Sequence, residues 1–191
     1  MSRERSLCGK EEIIRVAVDI VDQEGIGAVS ARRIAKELNV SSMTIYNYVK
    51  NLNDIKKRVL IVGFDRMYGC IYRALSTLPA PVGKRDFCRT MALEIFRFAQ
   101  DNRSLFGFMF YEGRRLFHED AEVRPFYTFL GKFIRRARGA QSGWQRGDPA
   151  YTLFESIIIS MSYQNAAHIT EIGEKEFCSY VDFFLERCMD E

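Results

Sequence analysis

Residues 30–50 run Ser-Ala-Arg-Arg-Ile-Ala-Lys-Glu-Leu-Asn-Val-Ser-Ser-Met-Thr-Ile-Tyr-Asn-Tyr-Val-Lys. Two short helices joined by a tight turn account for this stretch. Ser30 and Ser41 suit the N-cap position, because a serine hydroxyl accepts a bond from a backbone N–H left over at a helix start. Ile34, Ala35 and Leu38 share one face of the first helix, and Ile45 and Val49 share one face of the second. Ala35 is small enough to let the helices cross closely, with Val40 closing the joint. Asn39 stands where the chain must reverse, and Asn tolerates the left-handed conformation better than most residues. The outward face of the second helix carries Ser42, Met43, Thr44, Asn47 and Tyr48, then Lys50. Such a helix can enter a DNA major groove. Asn can pair with an adenine edge, and Thr and Met can touch a thymine methyl. Tyr46, Tyr48 and Lys50, with the caps Ser30 and Ser41, can hold phosphates. The bland alternative is a helical hairpin with a solvated polar face.

Working outward, the whole chain has helical spacing. Ile13, Ile14, Ala17, Val18 and Val21 form a stripe that Gly25 and Gly27 end. A fourth helix begins at Asn51 or Asn53, turns Ile55, Val59 and Val62 inward, and runs to about Leu78, before Pro79 and Pro81. The spacing resumes at Phe87, Met91, Ile95 and Phe98, and breaks at Asn102 and Ser104. Further helices are expected over Leu105–Phe117 and Asp120–Arg138, then a loop at Gly139–Gly143. Asp148-Pro149 opens the penultimate helix, and Gly173 separates it from a last one bearing Phe177, Val181, Phe184, Leu185 and Cys188. No segment alternates with period two between hairpin turns, so the expected fold is all-α, with about nine helices.

The chain has 191 residues, 47% hydrophobic and 28% charged, a composition that excludes wholesale disorder. Residues 1–60 hold 11 Lys and Arg against 8 Asp and Glu, whereas residues 61–191 hold 17 of each. All 15 Phe residues follow residue 60. A small basic module over residues 1–56 therefore precedes a larger aromatic-rich one over residues 57–191. The five cysteines form no CxxC pair, and His118 and His168 stand apart, so neither a metal site nor a disulfide framework is expected, and reduced thiols fit a cytoplasmic protein. No cofactor motif appears, and neither a Ser/His/Asp order nor a phosphate-binding glycine loop argues for an enzyme. The charged start has no apolar run behind it, so no signal peptide is expected. Ser156–Thr170 is too short and too polar to span a membrane.

The segment Ala17 to Gly25, then Ser30, Arg33-Ile34-Ala35, Leu38, Val40-Ser41, Thr44-Ile45-Tyr46 and Tyr48-Val49-Lys50-Asn51, resembles the N-terminal pattern of the tetracycline-repressor (TetR) family of transcriptional regulators. The likeness is detailed over about residues 10–62 and architectural beyond. In that family, the tyrosine matching Tyr46 and the lysine matching Lys50 contact phosphate. Asn39 stands where Gly is usual and Tyr48 where His is frequent. The resemblance implies a homodimer that represses transcription from a double-stranded DNA operator and is released by a small molecule.

In the second module, Leu105, Met109 and Phe110 share one helical face, as do Phe126, Phe129 and Phe133 on the following helix, and Phe106, Met109, Phe110, Phe129 and Phe133, with residues near Ile158, form the candidate ligand-binding wall. No Lys or Arg lies within either stripe, so a mainly apolar or aromatic ligand is expected. Tyr111, Glu112 and His118 are candidate polar fixtures, with a solvated or hydrogen-bonded surface role the favoured reading of each. The basic run Arg135, Arg136 and Arg138 is expected to end its helix at solvent. Plain core packing is the competing reading of these aromatics, and a solid core would favour a DNA-bound adaptor that binds a protein instead. Ser156–Thr170 lacks Asp, Glu, Lys and Arg and is expected to join Phe177, Tyr180, Val181, Phe184 and Leu185 in a dimer interface. The fourth helix, passing from one module to the other, is expected to carry the signal.

Overall fold

In the computed structural model, residues 9–128 and 149–188 are described, and among them all regular structure is helical. Helix α1 (Lys10–Glu24) is followed by a 3-10 turn (Ile26–Ala28), α2 (Ala31–Glu37), α3 (Ser42–Tyr46) and the long α4 (Leu52–Ser76). Then come α5 (Lys84–Asp101), α6 (Arg103–Gly107), a π-helical turn (Phe108–Glu112), α7 (Gly113–Phe117), the short α8 (Arg124–Tyr127), α9 (Pro149–Ala166) and α10 (Glu174–Cys188). No helix among the described residues is long and apolar enough to cross a membrane.

The N-terminal elements enclose Ile13, Ala17, Val21, Ile34, Ile45, Val49, Ile55 and Val59, all buried. The apolar cluster continues into the second half through Phe64, Met91, Phe96, Phe106, Phe154 and Phe177. There Phe96 stacks on Phe177 with ring centres 4.3 Å apart, and Phe154 lies 5.5 Å from Phe184. Helix α4 is common to both halves, packing on α1 and also on α5, α6 and α7.

Two glycines set how closely α4 can lie. A Cβ on Gly63 would come 2.7 Å from Met109 Sδ, and one on Gly113 would come 2.8 Å from Phe108 O and 2.9 Å from Leu60 Cδ1. Gly113 N–H donates to that same Phe108 carbonyl, closing the π turn. Glycine is thus required both for the wide turn and for its contact with α4.

Several expected boundaries move. The break before α6 is at Asn102 alone, since Ser104 lies inside the helix. The helix expected from Asp120 starts at Arg124, because the Asp120 carboxylate accepts the Glu122 N–H and holds residues 120–123 in a turn. The charge-free helix stops at Ala166 rather than Thr170. His168 takes φ 57°, and its N–H and that of Ile169 bond back to Asn165 O and Gln164 O, a Schellman ending. Val62, expected inward, is half-buried beside α1. The C-terminal part of the Asp120–Arg138 helix, Arg135, Arg136 and Arg138, and the Gly139–Gly143 loop lie outside the described residues.

Asn39, at φ 52°, ends α2 through the same ending, with Val40 N–H on Ala35 O at 3.0 Å and Asn39 N–H on Lys36 O at 3.3 Å. Asn39→Ala should lower the unfolding free energy in urea by about 1–2 kcal/mol, the cost of a Cβ without a local hydrogen bond in the left-handed region, whereas Asn39→Gly should be neutral or mildly stabilising.

Candidate nucleic-acid interface

Helix α3 is fixed from both ends. Ser41 Oγ accepts the Thr44 N–H at 3.1 Å and lies 2.9 Å from Thr44 Oγ1, so cap and hydroxyl brace one another. Ser30 Oγ likewise accepts the Arg33 N–H at 3.1 Å. At the start of α4, Asn51 Oδ1 accepts the Asp54 N–H at 3.0 Å, and the Asp54 carboxylate accepts the Lys50 N–H at 3.3 Å. These bonds set the entry and exit of α3, while Ile45 and Val49 anchor its inner side in the core.

What remains outward is largely the set anticipated from the sequence. Met43 is 73% exposed, Tyr46 49% and Tyr48 44%, and Asn47 and Lys50 are exposed beside them. Large side chains left in water on a surface otherwise closed by packing mark a contact face. Ser42 and Thr44 are half-buried. The helix is shorter than expected: Asn47 caps its C-terminus, and Tyr48 and Lys50 stand in the turn leading to α4.

Two cations near the motif are committed elsewhere. Arg33 spans Glu24 at 2.6 Å and Glu37, tying α2 to the end of α1, and the hydrogen bond to Glu24 holds its guanidinium above its ordinary pKa. Lys10 pairs with Asp54 at 3.7 Å, on the rim of a surface recess of about 440 Å³ that also contains Tyr48, Lys50, Asn51 and Asn53. Lys10, Asn51 and Asn53 were not among the expected contacts; Asn51 and Asn53 follow Lys50 in the chain, whereas only folding brings Lys10 of α1 beside it.

The N-terminal elements are also bound to the second half by charge. On α4, Lys56 pairs with Glu112 at 3.0 Å, Lys57 with Asp120 at 3.3 Å and Glu122 at 3.2 Å, and Arg58 with Glu122 at 2.6 Å. Burial pushes the Asp120 carboxyl up, but the Glu122 N–H and Lys57 outweigh it and leave it below the ordinary value.

The expected ligand wall is only partly assembled. Phe106, Met109 and Ile158 are fully buried in the core, whereas Phe110 reaches a cavity of about 20 Å³. Phe129 and Phe133 lie outside the described residues. Phe126, expected on the stripe with Phe129 and Phe133, lines the cavity together with Tyr127, also of α8, while Phe64, Met67 and Tyr68 of α4 and Glu155 of α9 are walls not anticipated from the sequence. The candidate polar fixtures take the favoured surface roles instead: Glu112 meets Lys56, Tyr111 packs on Tyr163 with ring centres 4.1 Å apart, and His118 is exposed beside Glu119.

A family model described as an HTH domain matches residues 24–62, which include α2 and α3. An uncharacterized HTH-type transcriptional regulator of Bacillus subtilis, YobS, is 30% identical over 56 residues, covering 29% of this chain and 29% of that protein. Over the full architecture, the chain superposes on a TetR family transcription regulator from Marinobacter aquaeolei with TM-score 0.67, at 17% identity over 93% of both chains. The fold is that of the TetR-family regulators. It is also shared with the transcriptional regulator FadR of Bacillus subtilis, solved with stearoyl-CoA, at TM-score 0.60 and 18% identity, over 92% of this chain and 95% of that one.

Removing the α3 cap tests how the interface is held. Ser41→Ala should cost about 1 kcal/mol in urea unfolding. Ser41→Asp, which keeps a cap acceptor, should recover most of it.

Proposed function

We propose that this chain is a homodimeric transcriptional repressor whose α3 enters the major groove of a double-stranded operator and which leaves it when a small, mainly apolar or aromatic molecule enters the second half. The observation that carries the reading is the exposed surface that Met43 and Tyr46 of α3 form with Asn47, Tyr48 and Lys50 of the turn after it, held by the caps of α3 and by buried Ile45 and Val49. Lys50 and the tyrosine hydroxyls serve phosphates, and Asn47 and Met43 serve base edges. Residues 1–56 act as the DNA-binding unit and residues 57–191 as the effector and dimerisation unit.

A dimer follows from what the last two helices leave uncovered. Leu153 of α9 and Tyr180 and Phe183 of α10 are exposed large apolar side chains, while Ile158, Val181, Phe184 and Leu185 point into their own subunit. The partner-facing stripe is therefore one residue removed from the stripe that fills the core. A stable interface there needs more than about 1,000 Å² of buried area. A dimer also supplies two recognition helices, which must lie about 34–36 Å apart to meet successive major grooves.

The effector reading rests on the aromatic cluster between α4, the π turn and α8, and FadR's capture of stearoyl-CoA gives the fold a precedent for small-molecule binding. Among the described residues the cluster leaves a cavity of about 20 Å³, room for a single water. That observation favours a second reading, a DNA-bound adaptor whose second half meets a protein.

Against a selected operator, Lys50→Ala should weaken binding to all sequences and reduce the salt slope by about one unit. Asn47→Ala should instead cost about 1–3 kcal/mol at one base position and relax preference there. Unchanged binding in both variants would remove α3 as the reading helix. In sedimentation at micromolar concentration, Phe183→Asp should give a folded monomer, whereas Phe184→Asp should unfold the chain, because its carboxylate would be buried without a partner. A compound screen by thermal shift, followed by operator release, separates the effector reading from the adaptor reading.

A further inference from the structure

Resting on the DNA-binding reading, we infer that the turn between α7 and α8 is an intramolecular rival of the operator: its Asp120 and Glu122 occupy Lys57 and Arg58 of α4, two cations that otherwise join Lys50 in holding DNA phosphates. The inference starts from the surface recess of about 440 Å³ beside the α3 face. Tyr48 and Lys50 line it together with Lys57 and Arg58, and the second half contributes Phe117 and Asp120 to the same walls. An acidic residue of the second half thus stands among the groups that would meet the duplex backbone.

Both α4 cations in the recess are taken. Lys57 Nζ lies 3.3 Å from Asp120 Oδ2 and 3.2 Å from Glu122 Oε2, and Arg58 lies 2.6 Å from Glu122 Oε1. The turn presents the two carboxylates together. Asp120 Oδ1 accepts the Glu122 N–H at 2.9 Å, and the Asp120 carbonyl accepts the N–H groups of Val123 and Arg124 at 3.1 and 2.8 Å. Fully buried Val123 ties this turn to the apolar core. Lys56 differs from its two neighbours, since it pairs with Glu112 and lies outside the recess lining.

Duplex affinity grows with each phosphate that a Lys or Arg neutralises, because counterions then leave the DNA. A lysine that must first give up two carboxylates gains little by the exchange, and a carboxylate left in the recess repels the incoming phosphate. The acids therefore lower affinity twice, by occupying cations and by their own charge. With the turn in place, Lys10, Lys50, Lys57 and Arg58 are set against Asp54, Asp120 and the adjoining Glu122; with it withdrawn, Asp54 alone opposes the four. The pairs are half-exposed and therefore weak enough to exchange. Arg58 Nε is buried without a hydrogen-bond partner, so the paired arrangement already carries an unmet donor and gives up less on opening. A shift of the second half against α4 changes how many cations face DNA. That effect acts on every sequence, unlike a change in the spacing of two recognition helices, which acts through paired half-sites.

The experiment measures binding of the full-length protein to a short duplex of unrelated sequence and to a selected operator over a range of salt, with circular dichroism showing each variant folded. Asp120→Asn combined with Glu122→Gln should tighten binding to both duplexes at least about fivefold and steepen the salt dependence by about one to two units, one for each cation freed. Lys57→Ala should leave the slope of the parent protein unchanged, but remove about one unit from that of the acid-neutral variant. Glu119 pairs with His118 at 3.6 Å rather than with a cation of α4, so Glu119→Gln removes a neighbouring charge without freeing one and should leave the slope as it is. Should the double variant not fold, Glu122→Gln alone, which frees Arg58 and leaves Lys57 on Asp120, is held to a steepening of about one unit. Unchanged or weaker binding by the folded acid-neutral variant, a gain that Glu119→Gln reproduces, or a steeper slope that survives Lys57→Ala overturns the inference. If Lys50→Ala weakens binding while the acid-neutral variant behaves as the parent does, the rivalry falls and the DNA-binding reading stands. If the parent protein binds neither duplex at low salt, the DNA-binding reading fails and the inference falls with it.

Discussion

The structure depends on the depth at which α4 can be buried. A 25-residue helix is a stiff rod about 38 Å long at 1.5 Å per residue, so the position of one end fixes the other. Gly63 and Gly113 let this rod lie close against the π turn, since a Cβ on Gly63 would displace Met109 and one on Gly113 would meet the Phe108 carbonyl. Once it is seated there, Ile55 and Val59 close the core under α3, and Phe64 and Met67 close the core under the aromatic cluster. The same packing therefore orients the DNA-facing helix and encloses the second-half cavity.

Electrostatics reinforces that seating at one level of the rod. Lys56, Lys57 and Arg58 are consecutive, and successive side chains on a helix are 100° apart, so together they grip neighbours on more than one side. Their partners Glu112, Asp120 and Glu122 lie between the end of the π turn and the turn before α8. Individually such half-exposed pairs are weak. As a group of three cations on one rigid helix, they define a register along its axis that apolar packing alone leaves loose.

Much of the fold was legible in the sequence where its causes are local. Serine caps, the Asn39 turn and the Ile34, Ala35, Ile45 and Val49 spacing act within a few residues, and each takes the place expected of it. The contact face of α3 follows directly, because a helix whose inner side is known has its outer side determined. Where contacts are distant in sequence, spacing ran out. Regular α periodicity placed Leu105, Met109 and Phe110 on one stripe, but the π turn inserts an extra residue per turn and rotates Phe110 out of the core toward the cavity. Nothing in the local sequence shows that Gly113 accompanies a wide turn. The same limit holds at the C-terminus: an apolar stripe shows that a face is covered, not whether its own subunit or another covers it, and Phe183 and Phe184 differ in just that respect. The walls that α4 and α8 contribute to the cavity depend on distant packing too, so Tyr68 and Tyr127 had no local signature.

The π turn puts the two ends of the molecule in mechanical contact. Within five residues it holds Phe110, which lines the cavity, Met109, which rests on Gly63, and Glu112, which holds Lys56 near the N-terminus of α4. A π turn holds one residue more than an α turn, and a shift of one hydrogen-bonded register there rotates the following residues by about 100°. On the proposed effector reading, a molecule large enough to displace Phe110 acts first on that turn. Tight binding is not sufficient for this to matter. A molecule shifts the protein between two arrangements only by the difference in its affinity for them. The cavity of about 20 Å³ bears on that difference, because an arrangement with room for no more than a water excludes the molecule outright. The gap in affinity between closed and opened forms is then set by sterics rather than by fine contacts. What opposes opening is the packing of Met109 on Gly63 and of Gly113 on Leu60. The stiffness of the α4 seat and the responsiveness of the cavity are therefore one property, and loosening the first lowers the cost of the second.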